Sequence, residues 1–173
     1  MANSDLPSAH FLVRHMQAPP AVEGMLLHGI LHRAEGDFNN ARAWVGDVRD
    51  ACEGYTPKKK DAGDKLEKGV FEKTRGGEGM EKSLVEYVYG DEDPGTLIDD
   101  VEAFRSRKSE ADGEEKELER RTRKELERVL QWCKSKFGEG EWKEASSAWV
   151  KNSEEISEIS KEMTSGDRGF REF

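Results

Sequence analysis

Gly36-Asp37 is the punctuation mark that most constrains how this chain can fold. Before it, Leu26, Leu27, Ile30, Leu31 and Ala34 recur at helical spacing. After it, Ala41, Trp44, Val45, Val48 and Cys52 do the same. Glycine takes up the left-handed backbone that ends a helix, and aspartate is a favoured N-cap for the next one. The pattern predicts helices over about 21–34 and 37–53. So short a turn folds them back on each other as an antiparallel hairpin. Leu26, Ile30, Leu31, Ala41, Trp44 and Val48 are expected to form its interface.

The rest of the chain reads as helix and loop. A short helix over about 8–17 carries Phe11, Leu12 and Met16, and Pro19-Pro20 ends it. Residues 56–79 mix glycine with dense charge, which predicts a mobile loop with at most a short helix or strand at Leu66–Phe71. Leu84, Val85, Val88 and Tyr89 mark a short helix, and Leu97, Ile98, Val101 and Phe104 the next one. A break is expected near Gly113. Leu118, Thr122, Leu126, Val129, Cys133 and Phe137 then step by three or four, as do Trp142, Ala145, Trp149, Asn152, Ile156, Ile159 and Met163. Gly138 and Gly140 separate these two stripes, which predicts a second antiparallel hairpin. The expectation is an all-α single domain, 1–173, of two helical hairpins. Its parts are helices over 8–54, a mobile segment over 55–80, helices over 81–165 and a tail over 166–173 containing Phe170 and Phe173.

Charge narrows the partners. The chain has 173 residues, a net charge of -9, 38% charged residues and 34% apolar ones. That polarity predicts long solvated faces, and the acidity argues against nonspecific nucleic-acid binding, which needs a basic surface. The run Lys58-Lys59-Lys60 is followed by Asp61 and Asp64 and reads as a solvated loop. Thr74-Arg75-Gly76-Gly77-Glu78-Gly79 lacks the ending and the preceding strand of a phosphate-binding loop. Cys52 and Cys133 fall among apolar positions and do not form a disulfide framework. With no secretory leader pattern and no apolar run of spanning length, the expected setting is cytoplasmic or nuclear, with no membrane partner.

Chemistry concentrates before the turn. His28, His32 and Glu35 are separated by four and three residues and therefore stack on one line of the helix. That line lies roughly opposite the centre of the apolar arc, so it is not the face expected to be buried first. Three readings stay open. The groups can hold a divalent metal (Zn, Fe, Ni or Mn) with a further ligand from Asp37, His10 or His15. They can form an acid/base pair in which Glu35 orients His32. They can be a solvated polar face. Arg33, Asp37 and Asn40 cluster at the turn, either as a ligand-reading rim or as a cap with an ion pair. Trp44 belongs to the apolar stripe, or to an aromatic groove for a peptide.

The segment His28-Gly29-x-x-His32-Arg33-x-Glu35-Gly36-Asp37-Phe38-x-Asn40-Ala41-x-x-Trp44 resembles the motif of a family of fungal proteins with some bacterial members. The stretch Ser147-Ala-Trp-Val-Lys-Asn-Ser-Glu-Glu-Ile156 is similar to the fungal members as well. The family pattern continues with an aromatic residue and an arginine, where this chain has Val45 and Gly46. The resemblance implies no activity. Locally, Gly36-Asp37-Phe38 with Ala41 and Trp44 is similar to the turn of a tetratricopeptide-type hairpin, in which a small residue admits close packing. Two functions follow from the residues. One is a helical binding or adaptor module with a protein or small-molecule partner. The other is a metal-dependent or acid/base enzyme using His28, His32 and Glu35.

Overall fold

Two backbone devices build the predicted hairpin. Gly36 adopts a left-handed φ of 88°, and its N–H donates to the Arg33 carbonyl while the Asp37 N–H reaches His32 O at 2.8 Å. Asp37 then accepts from the Asn40 N–H and opens the following helix. A computed structural model describes residues 6–107 and 112–140. Its helices, among the described residues, are α1 (Leu6–Val13), α2 (Val22–Glu35), α3 (Phe38–Cys52), α4 (Lys68–Glu72), α5 (Leu84–Tyr89), α6 (Pro94–Ser106) and α7 (Asp112–Phe137). The fold is all-α, with one isolated antiparallel bridge between Tyr55 and Lys65 among the described residues.

The α2/α3 hairpin is the centre of the packing. Gly29 lets the helices close: a Cβ there would stand 3.1 Å from Trp44 Cβ and 3.4 Å from the Ala41 carbonyl oxygen. α1 lies on α2, α5 and α6 pack on α3, and α7 crosses α5 and α6. Val22, Met25, Leu26 and Ile30 of α2 meet Ala41, Val45, Val48 and Ala51 of α3, and Leu84, Val88, Ile98, Val129 and Trp132 complete the core. Of the expected hairpin interface, Leu26, Ile30, Leu31, Ala41 and Val48 are buried, and Trp44 is only half-buried.

Several expectations need correction. The break expected near Gly113 falls just before it: α6 ends at Ser106, and Gly113 lies in the first turn of α7, which begins at Asp112. In α1 it is Val13 that is buried, whereas Phe11 and Leu12 are exposed. α7 is rotated from its apolar stripe. Phe137 is exposed, and the buried line runs through Leu118, Glu125, Val129 and Trp132. Glu125 carries that rotation, because it pairs with a buried arginine and so faces inward. The glycine-rich segment is laced by hydrogen bonds, such as Thr56 N–H to Asp64 O at 2.8 Å and Leu66 N–H to Gly54 O at 3.0 Å. Gly77 packs so close to α7 that a Cβ would come within 1.7 Å of the Ser135 carbonyl oxygen. The lysine run is neutralised locally: Lys58 pairs with Asp47, Lys59 with Asp64 and Lys60 with Glu53. The second predicted hairpin needs residues 141–163. Trp142, Trp149, Asn152, Ile156, Ile159 and Met163, like the tail with Phe170 and Phe173, lie outside the described residues. No described helix is long and apolar enough to cross a membrane.

Trp132 is fully enclosed, and its indole N–H has no hydrogen-bond partner among the described residues. Trp132→Ala should cost about 3–5 kcal/mol through the cavity it opens. Trp132→Phe should cost less than half of that, since it also removes an unsatisfied donor. Denaturant unfolding of both variants measures the difference; a Trp132→Ala loss below about 1 kcal/mol would place the ring outside the core.

Candidate metal centre

α1 crosses the polar line of α2 and covers it. His28 is 4% exposed as a result, so the line expected to face solvent is buried. His10 of α1 enters between the two histidines of α2. Its Nε2 lies 2.8 Å from His28 Nε2, and its Nδ1 lies 3.1 Å from Glu35 Oε1. The His10 ring stands edge-on to both His28 and His32, with centroids 4.7 and 4.9 Å away. His28 and His32 stack one turn apart at 4.9 Å, and Trp44 of α3 stacks on His28 at 4.3 Å. One ligand nitrogen from each of His10, His28 and His32 lies within 4.8 Å of the others.

The surroundings set the protonation states. Burial, reinforced by the charges of His10, His32 and Arg14, lowers the His28 pKa from 6.5 to about 3. Burial and His10 also lower that of His32, against the opposing pull of Asp37 and Glu35. Both imidazoles are therefore held neutral at pH 7, the state in which a nitrogen ligates a metal. Polar atoms are left over. His28 Nδ1 and His32 Nδ1 are buried without a hydrogen bond among the described residues. Such orphaned atoms are costly to bury. The carboxylate oxygens near His32 Nδ1 are Asp37 Oδ2 at 3.5 Å and Glu35 Oε2 at 4.0 Å.

Geometry tests the fit to a metal. Zinc–nitrogen bonds of 2.0–2.1 Å in a tetrahedron hold ligand nitrogens about 3.4 Å apart. The observed spread, from 2.8 Å between His10 and His28 up to 4.8 Å, brackets that spacing. Glu35 accepting from His10 Nδ1 would be the carboxylate that orients a metal-ligating imidazole from behind. Asp37 stands similarly behind His32.

The other candidates go elsewhere. Of the three further ligands weighed in the sequence, His10 joins the cluster. His15 Nδ1 instead contacts the Phe11 carbonyl oxygen, 3.0 Å away. Asn40 donates through Nδ2 to Asp37 Oδ2 at 2.6 Å and serves the cap. Arg33 turns away from the turn into the core. It is 4% exposed and forms a two-pronged ion pair with Glu125, which also accepts from the Tyr89 hydroxyl at 2.6 Å. Sequence spacing does not mark Glu125 and Trp132 as buried, because one is charged and the other lies off the apolar stripe. A search of protein-family models, curated proteins and solved structures finds no match to this chain.

Acid should expose the buried histidine. The unfolded chain protonates His28 near 6.5, and the folded one only near pH 3. Between those values the unfolded state binds more protons, so the stability present above pH 6.5 is lost as the pH falls. His32 contributes in the same direction. From pH 7 to 5, metal-free protein should lose about 1–2 kcal/mol more than its His28→Gln variant. Urea unfolding at the two pH values measures this, and equal losses would mean that His28 is not held neutral.

Proposed function

We propose that this protein binds a divalent transition metal ion through His10, His28 and His32. The observation that carries the reading is the convergence of three imidazoles from two helices, with ligand nitrogens within 4.8 Å of one another. Two of the rings are kept neutral. Three nitrogen donors suit Zn, Ni or Fe better than Mn, which prefers oxygen. Glu35 and Asp37 serve behind the ligands, and Trp44 shields one face of His28. Three protein ligands leave a fourth position for water or for a partner's donor. The ion would tie α1 to α2, giving the helical binding domain a metal-dependent wall.

Metal binding stabilises the folded state, because the unfolded chain cannot hold the three rings together. In chelator-stripped protein, Zn or Ni at about a hundred times Kd should raise the melting temperature by about 5–10 °C. Calorimetric titration should give one ion per chain. Both effects should vanish in His10→Ala and His32→Ala and survive in His15→Ala. An unchanged response in the His10→Ala/His32→Ala double variant would remove the metal reading.

One observation favours a second reading. Glu35, His10 and His28 form a continuous hydrogen-bonded chain with links of 3.1 and 2.8 Å. A carboxylate that fixes one imidazole, which in turn contacts another, is a layout for moving a proton. Protein that ignores every metal tested would favour this acid/base use of the same residues.

A further inference from the structure

A groove of about 1070 Å³ opens between α1, α6 and α7 above α2. Leu27, Leu31, Val101, Phe104 and Leu126 make it apolar. Its mouth is wide: Leu12 and Leu130 stand at the edges, 51% and 58% exposed. A small-molecule pocket encloses most of its ligand, and edges this exposed do not enclose one. The wall from Glu115 to Leu130 runs about 22 Å along α7, the length of a helix of about four turns. An open apolar trough of that length on a highly charged chain is shaped for a helix laid along it.

The charges along the groove select the kind of helix. Glu115, Glu119 and Glu127 stand on α7 at its rim, all exposed, and none forms an ion pair or a side-chain hydrogen bond among the described residues. Positions four or eight apart share one side of a helix, so the three carboxylates form a row. Arg123 interrupts that row and is likewise unpaired among the described residues, whereas Arg105 is spent on the Arg33 and Ala34 carbonyls at the end of α2. The chain as a whole carries a net charge of -9, so the field over the groove favours a cation. A second copy would bring the same carboxylates and the same net charge, and an acidic helix would be repelled. A basic helix satisfies both the apolar floor and the acidic rim.

We propose that the α1–α6–α7 groove docks a basic amphipathic helix of another protein. The apolar face of that helix lies on Leu27, Leu31, Phe104 and Leu126, between Leu12 and Leu130, and its lysines or arginines meet Glu115, Glu119 and Glu127. The inference is independent of the metal reading, since none of the three clustered histidines lines the groove.

Binding of labelled synthetic peptides to the full chain tests it, read by fluorescence anisotropy at physiological salt. One peptide of about fifteen residues carries leucine on one helical face and lysine on the other, and its twin carries glutamate in place of lysine. The lysine peptide should bind at least about tenfold tighter than its twin. Glu119→Lys/Glu127→Lys should weaken the lysine peptide at least about tenfold. Asp61→Lys/Glu67→Lys makes the same change of charge away from the groove and should weaken it by less than about twofold. Leu130→Asp adds a carboxylate to the rim. Charge attraction alone would then tighten binding, whereas seating on the apolar groove makes it at least about fivefold weaker. Every altered side chain is exposed, so the variants keep the fold. Equal affinity for the twin peptides, equal loss in the two double variants, or Leu130→Asp binding as tightly as wild type would each overturn the proposal. So would wild type that binds neither peptide, or a wild-type dimer in sedimentation that Leu130→Asp dissociates, which would assign the face to a second copy.

Discussion

Arg33 and Glu125, ninety-two positions apart, set the rotation of the central helix. Arg33 is the one cation on α2 driven into the core, and it meets Glu125 and, through that carboxylate, the Tyr89 hydroxyl. Burial works against the charge on Arg33, but hydrogen bonding to Glu125 and its negative charge outweigh that and hold the pKa above the ordinary arginine value. Such a pair is a poor net source of stability, because desolvating two ions costs about what their attraction returns. Its effect is directional: removing either partner leaves a buried charge alone, at about 3–5 kcal/mol. α2 and α7 therefore have one mutual orientation. With Arg33 aimed at α7, the residues about 100° away, His32 among them, must point toward α1.

That orientation explains why the polar line of α2 is buried although it opposes the apolar arc. A helix with a core on one side ordinarily leaves the other in water. Here α1 and Trp44 cover it, and the covering side chains are themselves aromatic or imidazole. Two neutral histidines stacked under an indole form a surface of intermediate polarity, dry enough to keep the rings unprotonated. Glu35 and Asp37 stay at the edge, 33% and 43% exposed, where their charge remains hydrated. The carboxylates can therefore steer the imidazoles without adding buried charge.

Local chemistry was legible in the sequence, and distant pairing was not. The α2/α3 hairpin follows from apolar spacing, one glycine and one N-cap, all within a few residues of each other. The short helix ending at Tyr89 follows from the same kind of signal: Ser83 and Glu86 make the capping box that starts it, and Gly90 closes it. The candidate site was half legible. His28 and His32 share a face by arithmetic, but the choice of His10 over His15 depends on how a separate helix crosses them. The rotation of α7 was hidden for a stronger reason. An apolar count assigns Glu125 to solvent, and only its pairing with Arg33 reverses that, bringing Trp132 inward as well. The glycines at 76 and 77 read as a loop by composition, yet they are small because α7 and Met80 press against them.

α1 lies between the histidine cluster and the apolar groove. It is eight residues long, too short to persist as an isolated helix, so its place depends on what it touches. One side presents His10 to α2, and the other presents Ala9 and Leu12 to the groove. A metal held by His10, His28 and His32 would fix the first side and so pre-form a wall for whatever fills the second. Linkage makes this reciprocal: an occupant of the groove that packs on Leu12 must raise metal affinity by the same factor by which the metal raises its own. The coupling needs no change elsewhere in the fold, because α2 is already held from behind by Arg33 and Glu125. Only α1 has to respond.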